Sequence, residues 1–166
     1  MRYLIALLAL AGLFDSALAL RIHYQDPTAA PPCAVTEKFD CGAVNHSRFA
    51  VFPPTSFDEA PDSKKLHIPV AIFGILGYAI IAGFALWPGR LTGRYFLLLQ
   101  ISEVGFAFAA FLTYMEDYIL QKWCIYCVWS QGLIAAILLL SIISFFRNAR
   151  QVASAKRITG KLATDN

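Results

Sequence analysis

Charge is what this 166-residue chain has least of: Asp, Glu, Lys and Arg together make up 15% of it, against 58% hydrophobic residues. Soluble domains carry roughly 25% charged and 45–50% apolar residues, so composition argues against an ordinary water-soluble enzyme. A disordered chain needs the opposite balance, low hydrophobicity with high net charge. The net charge of +3 is small, and no run of Lys and Arg interleaves with aromatics, so nothing points to nucleic acid. Internal repeats, a Gly-rich phosphate loop, a nucleophile elbow and a paired-carboxylate motif are all missing. Cysteine is sparse, with four residues at positions 33, 41, 124 and 127.

What the chain does have is long apolar sequence. A hydrocarbon layer of ~30 Å takes about 20 residues of helix to cross. Four windows of that kind occur: Tyr3 to Leu20, interrupted by Asp15; Ile68 to Trp87; Tyr95 to Met115, holding only Glu103; and Cys124 to Phe146. The expected fold is therefore all-α, a polytopic membrane protein built as a four-transmembrane-helix bundle. Its spans are about 3–20, 68–87, 95–115 and 124–146, with a long loop, 21–67, between helices 1 and 2. This membrane domain fills residues 1–147, and a basic tail, 148–166, follows.

Orientation follows from the cations, since Lys and Arg near short loops and span ends stay cytoplasmic. Arg2, Arg90, Arg94, Arg147, Arg150, Lys156, Arg157 and Lys161 fall on one side. The cations of the other side are diluted by Asp26, Glu37, Asp40, Asp58, Glu59, Asp62, Glu116 and Asp117. Both termini are expected in the cytoplasm and the long loop outside. An alternative is a cleaved secretory signal ending at Ala17-Leu18-Ala19.

On this topology all four cysteines face the compartment where disulfides persist. Two structural disulfides are one reading. A metal site assembled with His23, His46 and His67 is another. The pair at Cys124 and Cys127 favours a third, because two residues of spacing at a helix start set both sulfurs on one face, near the positive end of the helix. A thiolate is favoured there, which suits thiol–disulfide exchange. Gly42, Pro27, Pro31 and Pro32 punctuate the outer loop, as expected for non-helical backbone around the first pair.

These residues carry a resemblance. Cys33 and Cys41 with seven residues between them, the segment Cys41-Gly-Ala-Val-Asn-His-Ser47-Arg-Phe-Ala, the run His67-Ile-Pro to Tyr78, and Phe111-Leu-Thr-Tyr-Met-Glu116 ahead of Trp123-Cys-Ile-Tyr-Cys127 resemble the vitamin K epoxide reductase family, in its bacterial-type membrane form without a fused thioredoxin domain. The resemblance implies a quinone-dependent thiol–disulfide oxidoreductase that supports disulfide bond formation. Cys33, Cys41, Cys124 and Cys127 would be catalytic. A periplasmic or lumenal thioredoxin-like (DsbA-like) partner would reduce the Cys33/Cys41 disulfide, Cys41 would attack Cys124, and Cys127 would lie nearest a quinone of menaquinone, ubiquinone or vitamin K type. Membrane lipid surrounds such a protein.

Ser47, Phe49, Phe52, Val70, Phe73, Tyr114 and Gln131 are the expected quinone-binding residues, with Phe49 and Phe52 on a short amphipathic stretch lidding the pocket. Val70 stands where an Asn is common in the family, which argues against a quinone hydrogen bond from this helix, and Gln131 stands where vitamin K-reducing members carry tyrosine, which points away from vitamin K epoxide as substrate. The different-class alternative is a non-enzymatic membrane metal-binding protein or a bundle with structural disulfides.

Three polar residues are read from the chain itself. Glu103 is either a proton route or a packing residue, Asp15 is expected to reach water or loop N–H groups, and His46 is either a relay or a solvated side chain. Small residues at Gly74, Gly77, Ala79, Gly83, Gly105, Ala109 and Ala110 are expected at helix contacts.

Overall fold

A computed structural model describes residues 1–26, 33, 36–55, 66–87 and 93–164, with side chains through residue 154. Pro27, Pro31, Pro32, Lys64, Lys65 and Arg90 lie outside the described residues. In chain order the elements are α1 (Arg2–His23), a short α2 (Cys41–Asn45), β1 (Val51–Phe52), β2 (Ile68–Pro69), α3 (Val70–Leu86), α4 (Arg94–Tyr114) continued by a π-helical stretch (Met115–Leu120), and α5 (Ile125–Thr164). The chain is an all-α polytopic membrane protein. Three of its helical stretches, Arg2–His23, Arg94–Leu120 and Ile125–Ser154, are long and apolar enough to cross a membrane, and Val70–Leu86 is a shorter apolar helix.

The element ends differ from the apolar windows for local reasons. The window at residue 68 opens with strand, not helix: Ile68 pairs with Phe52 and Pro69 with Val51, antiparallel. Pro69 lacks an N–H and takes the position before the first helical residue, so the helix begins at Val70. Its amide is occupied as well, donating to the Ala50 carbonyl at 2.8 Å. At the other extreme α5 runs unbroken to Thr164, carrying the basic segment on as helix.

Ile5, Ala6 and Ala9 of α1, Tyr78, Ile81, Ala82 and Ala85 of α3, Leu98 of α4, and Ile134 and Ile137 of α5 form one buried cluster. Outward-facing residues are apolar too, among them Leu7, Phe14, Leu76, Phe96, Val104 and Leu139. Helices that are hydrophobic on every side belong in lipid. Glu103 points out of the bundle and is exposed, on neither of its two expected courses.

Small residues do set the helix contacts, though partly not the expected ones. A side chain on Gly74 would meet Ser16 Oγ at 2.6 Å, and one on Gly105 would meet Ile134 Cδ1 at 3.2 Å. Gly77 and Gly83 have nothing within 4 Å, and Ala79 is exposed. The tightest contact is at Gly12, where an added carbon would run into the Tyr78 ring. Gly12→Ala is therefore expected to destabilise the bundle by about 1–3 kcal/mol through overpacking. Gly77→Ala is expected to be neutral or to gain up to about 1 kcal/mol of helix propensity. Thermal unfolding of both variants in detergent measures the difference.

Candidate active site

Cys33 and Cys41 are joined by a disulfide, and Cys124 and Cys127 are free thiols. Although 82 residues lie between Cys41 and Cys124 in sequence, Cys33, Cys41, Val44 and Cys124 form one buried cluster, with Leu120, Ile125, Tyr126 and Cys127 packed against it. Backbone pairing explains the meeting. Phe39 and Trp123 form a parallel bridge: the Asp40 amide donates to the Trp123 carbonyl at 3.0 Å, and the Trp123 amide to the Lys38 carbonyl at 2.8 Å. Lys122 Nζ adds a bond to the Glu37 carbonyl. The loop that follows α1 is thus laid alongside the segment that starts α5, with Cys41 and Cys124 just after the bridge.

Local sequence then aims Cys41. Asp40 caps α2, its Oδ1 accepting the Ala43 amide at 3.0 Å, so Cys41 takes the first helical position. One turn on, Asn45 sends its Nδ2 to the Cys41 carbonyl at 2.9 Å and to Cys124 Sγ at 3.5 Å. This amide spans the two cysteine pairs. His23 Nδ1 donates to the Asn45 carbonyl at 2.6 Å. His46 meets the Gly42 and Gln25 carbonyls with its two ring nitrogens, tying α2 to the end of α1. All three histidines spend ring nitrogens on backbone, His67 on the Pro53 carbonyl. No group of three or more His, Cys, Asp or Glu among the described residues is arranged to hold a metal ion.

Glu116 completes the cluster from the other side. It is 3% exposed, and its Oε2 accepts the Cys124 amide at 3.1 Å. It borders the same cavity as Cys127. The π-helical stretch is what brings it there: widening the turn after Tyr114 rotates Glu116 inward, and Gln121 closes that stretch in the left-handed region at φ 52°. Cys124 lies just before α5, and the hydrogen bond from the Cys127 thiol holds its own thiol below the ordinary cysteine range, against the opposing effect of burial.

Beyond Cys127 the cluster opens into a cavity of about 180 Å³ between α1, α3, α4 and α5. Its wall is mostly apolar, with Phe49, Val70, Phe73 and Phe108 prominent, and Ser47, Cys127 and Glu116 at the cysteine end. An apolar cavity of about 150 Å³ holds a benzene ring. The space therefore suits a small aromatic head group.

The family model of the vitamin K epoxide reductase family matches residues 3–142. The chain belongs to that family. As a vitamin K epoxide reductase family member it is an oxidoreductase acting on thiols and disulfides, and its four cysteines stand in one cluster at one end of the bundle.

Of the residues expected to bind quinone in this family member, Ser47, Phe49, Val70 and Phe73 border the cavity. The structure does not bring Phe52, Tyr114 or Gln131 to it. Phe52 is 54% exposed; strand pairing turns it behind Phe73, edge to face at 6.0 Å. Tyr114, 52% exposed, stacks on Tyr118 at 4.6 Å outside the bundle, leaving Leu112 and Met115 to face inward. Gln131 is one position round α5 from Ser130, which does border the cavity.

Sequence reading missed Asn45 and Glu116 as site residues. Glu116 carried a signal, being an acid at the end of an apolar window, whereas Asn45 carried none short of the loop pairing. Asp15 was assigned to water or loop amides and instead borders the cavity.

Proposed function

We propose that the protein passes electrons from a thioredoxin-like dithiol partner through Cys33/Cys41 and Cys124/Cys127 to a membrane quinone, and so supports disulfide formation. The observation that carries this is the Asn45 amide bridging Cys41 and Cys124, with Cys127 on the wall of an apolar cavity. Both termini would lie in the cytoplasm and the cysteine end outside, as the cations require.

The exchange follows from thiolate chemistry. A partner thiolate attacks the Cys33–Cys41 disulfide; a second partner thiol resolves the mixed disulfide, leaving partner disulfide and loop dithiol. Cys41 thiolate then attacks Cys124, forming a Cys41–Cys124 bond and releasing Cys127 as thiolate. Attack by Cys33 on Cys41 restores the loop disulfide and leaves Cys124 and Cys127 reduced. The arrangement described above, loop pair joined and membrane pair as thiols, matches the state after this transfer.

A bound quinone supplies the acceptor for two electrons and two protons. The Cys124/Cys127 dithiol gives up the same two electrons and two protons as it closes to a disulfide, so the balance needs nothing further. Glu116, bonded to the Cys124 amide and bordering the same cavity as Cys127, takes the Cys127 proton as the thiol oxidises. The residues present fit such a ligand: Phe49, Phe73 and Phe108 offer ring faces, and Ser47 Oγ is buried with no hydrogen-bond partner among the described residues, leaving it to donate to a carbonyl oxygen. With Gln131 where vitamin K-reducing members carry Tyr, the acceptor is a respiratory-type quinone and not vitamin K epoxide.

Purified protein in detergent tests this, with ubiquinone or menaquinone offered alongside a small dithiol or a reduced thioredoxin-like protein. One quinol formed per disulfide made is the expected result. No reduction of either quinone by either donor would overturn the reading in favour of a bundle with structural disulfides.

A further inference from the structure

Asp15 is an acid two-thirds of the way along a membrane-spanning helix, and thiol exchange has no use for it. Its side chain borders the same cavity as Cys127, and its Oδ2 is buried without a hydrogen-bond partner among the described residues. Two of the cavity's other polar groups are engaged elsewhere: the Tyr78 hydroxyl lies 2.9 Å from both the carbonyl and the Oγ of Ser130, and His23 Nδ1 is spent on Asn45. Among the described residues no Lys or Arg borders the cavity to compensate a carboxylate. A buried polar group left unmatched costs about 1–3 kcal/mol, and intramembrane ionisable residues mark ligand or proton pathways. In its acid form Asp15 offers one O–H, and the oxygen that would carry it, Oδ2, has no hydrogen-bond partner among the described residues.

Ser47 is in the same position, a buried hydroxyl on the same wall with no partner among the described residues. Two orphaned donors in one apolar, aromatic-lined cavity match a flat ring bearing two carbonyl oxygens. We propose that Asp15, as the carboxylic acid, is the second carbonyl-binding residue of the cavity, pairing with Ser47 so that the site selects ring dicarbonyls over hydrocarbons of equal size. This rests on the quinone reading above and assigns Asp15 to it as a binding residue.

Binding measured apart from turnover provides the test. With both cysteine pairs oxidised the protein cannot reduce its ligand, so menadione and the carbonyl-free ring system naphthalene can each be titrated by tryptophan quenching. Wild type should bind menadione about tenfold or more tighter than naphthalene, the value of one well-placed hydrogen bond. Asp15→Asn keeps an N–H donor and should hold menadione within about threefold of wild type. Asp15→Leu should lose about tenfold for menadione and nothing for naphthalene, with a melting temperature no lower than wild type, since no existing bond is removed. The carbonyl stretch of bound menadione should shift down in wild type and less so in Asp15→Leu.

If wild type binds menadione and Asp15→Leu binds it equally, Asp15 is a packing residue and the proposal fails while the quinone reading stands. Asn behaving as Leu does would also sink it, because a donor would then not suffice. If wild type binds neither menadione nor a short-chain ubiquinone, the quinone reading falls and the role of Asp15 with it.

Discussion

Cys127→Ala is expected to abolish quinone reduction with every electron donor, whereas Cys41→Ala should lose the protein donor and keep most of the rate with a small dithiol. The asymmetry comes from where each thiol stands. Cys127 borders the cavity, so no donor can bypass it. Cys41 is buried against Cys124 in the loop cluster, and under the proposed function it carries electrons only from a partner too large to enter the bundle. A small dithiol needs no carrier once the loop opens enough to admit it.

The measurement is quinol formation for wild type and both variants with each donor, alongside non-reducing mass analysis for a mixed disulfide. Equal loss with both donors in Cys41→Ala would mean that the loop disulfide holds the site together and does not shuttle. Cys127→Ala has a second consequence. It removes the thiol hydrogen bond that is the main influence lowering the Cys124 thiol, so the thiolate forms at higher pH and Cys124 alkylation at neutral pH should slow.

Much of the architecture was legible in the chain because lipid imposes a crude rule. Windows of about 20 apolar residues stand out against 15% charge, and α1, α3, α4 and α5 lie on the four of them. Boundaries and contacts depart from expectation where backbone rules outrank composition. Pro69 and the strand pairing of Ile68 delayed α3, and Gly12, at the closest helix contact, sits in a Leu- and Ala-rich run with no visible partner until Tyr78 packs on it.

The site divides the same way. Spacing marks Cys124 and Cys127 as neighbours, yet their approach to Cys41 depends on a parallel bridge between residues 39 and 123, which no local pattern announces. Phe52, Tyr114 and Gln131 were reasonable in register and lie elsewhere because one residue changes the face of a strand or helix.

Glu116 should prove as costly to alter as the cysteines. It is buried and has two roles of different character, accepting the Cys124 amide and bordering the same cavity as Cys127. Glu116→Leu leaves that amide without an acceptor, a destabilisation of about 1–3 kcal/mol, and removes the base as well. Glu116→Gln separates the two. Its carbonyl oxygen still accepts the Cys124 amide, so thermal stability should stay near wild type, while quinone-linked turnover falls by about 10²–10⁴, the usual contribution of a positioned general base.

A residue that only shaped the site would leave the pH profile unchanged. Loss of a base makes a different mark: turnover of Glu116→Gln should climb about tenfold per pH unit on the alkaline side as the thiol ionises without help, closing on wild type. Stopped-flow quinol formation from pre-reduced enzyme, read across pH for wild type and Glu116→Gln, measures it. Parallel profiles offset by a constant factor would assign Glu116 to holding the start of α5 and leave proton transfer to another group on the cavity wall.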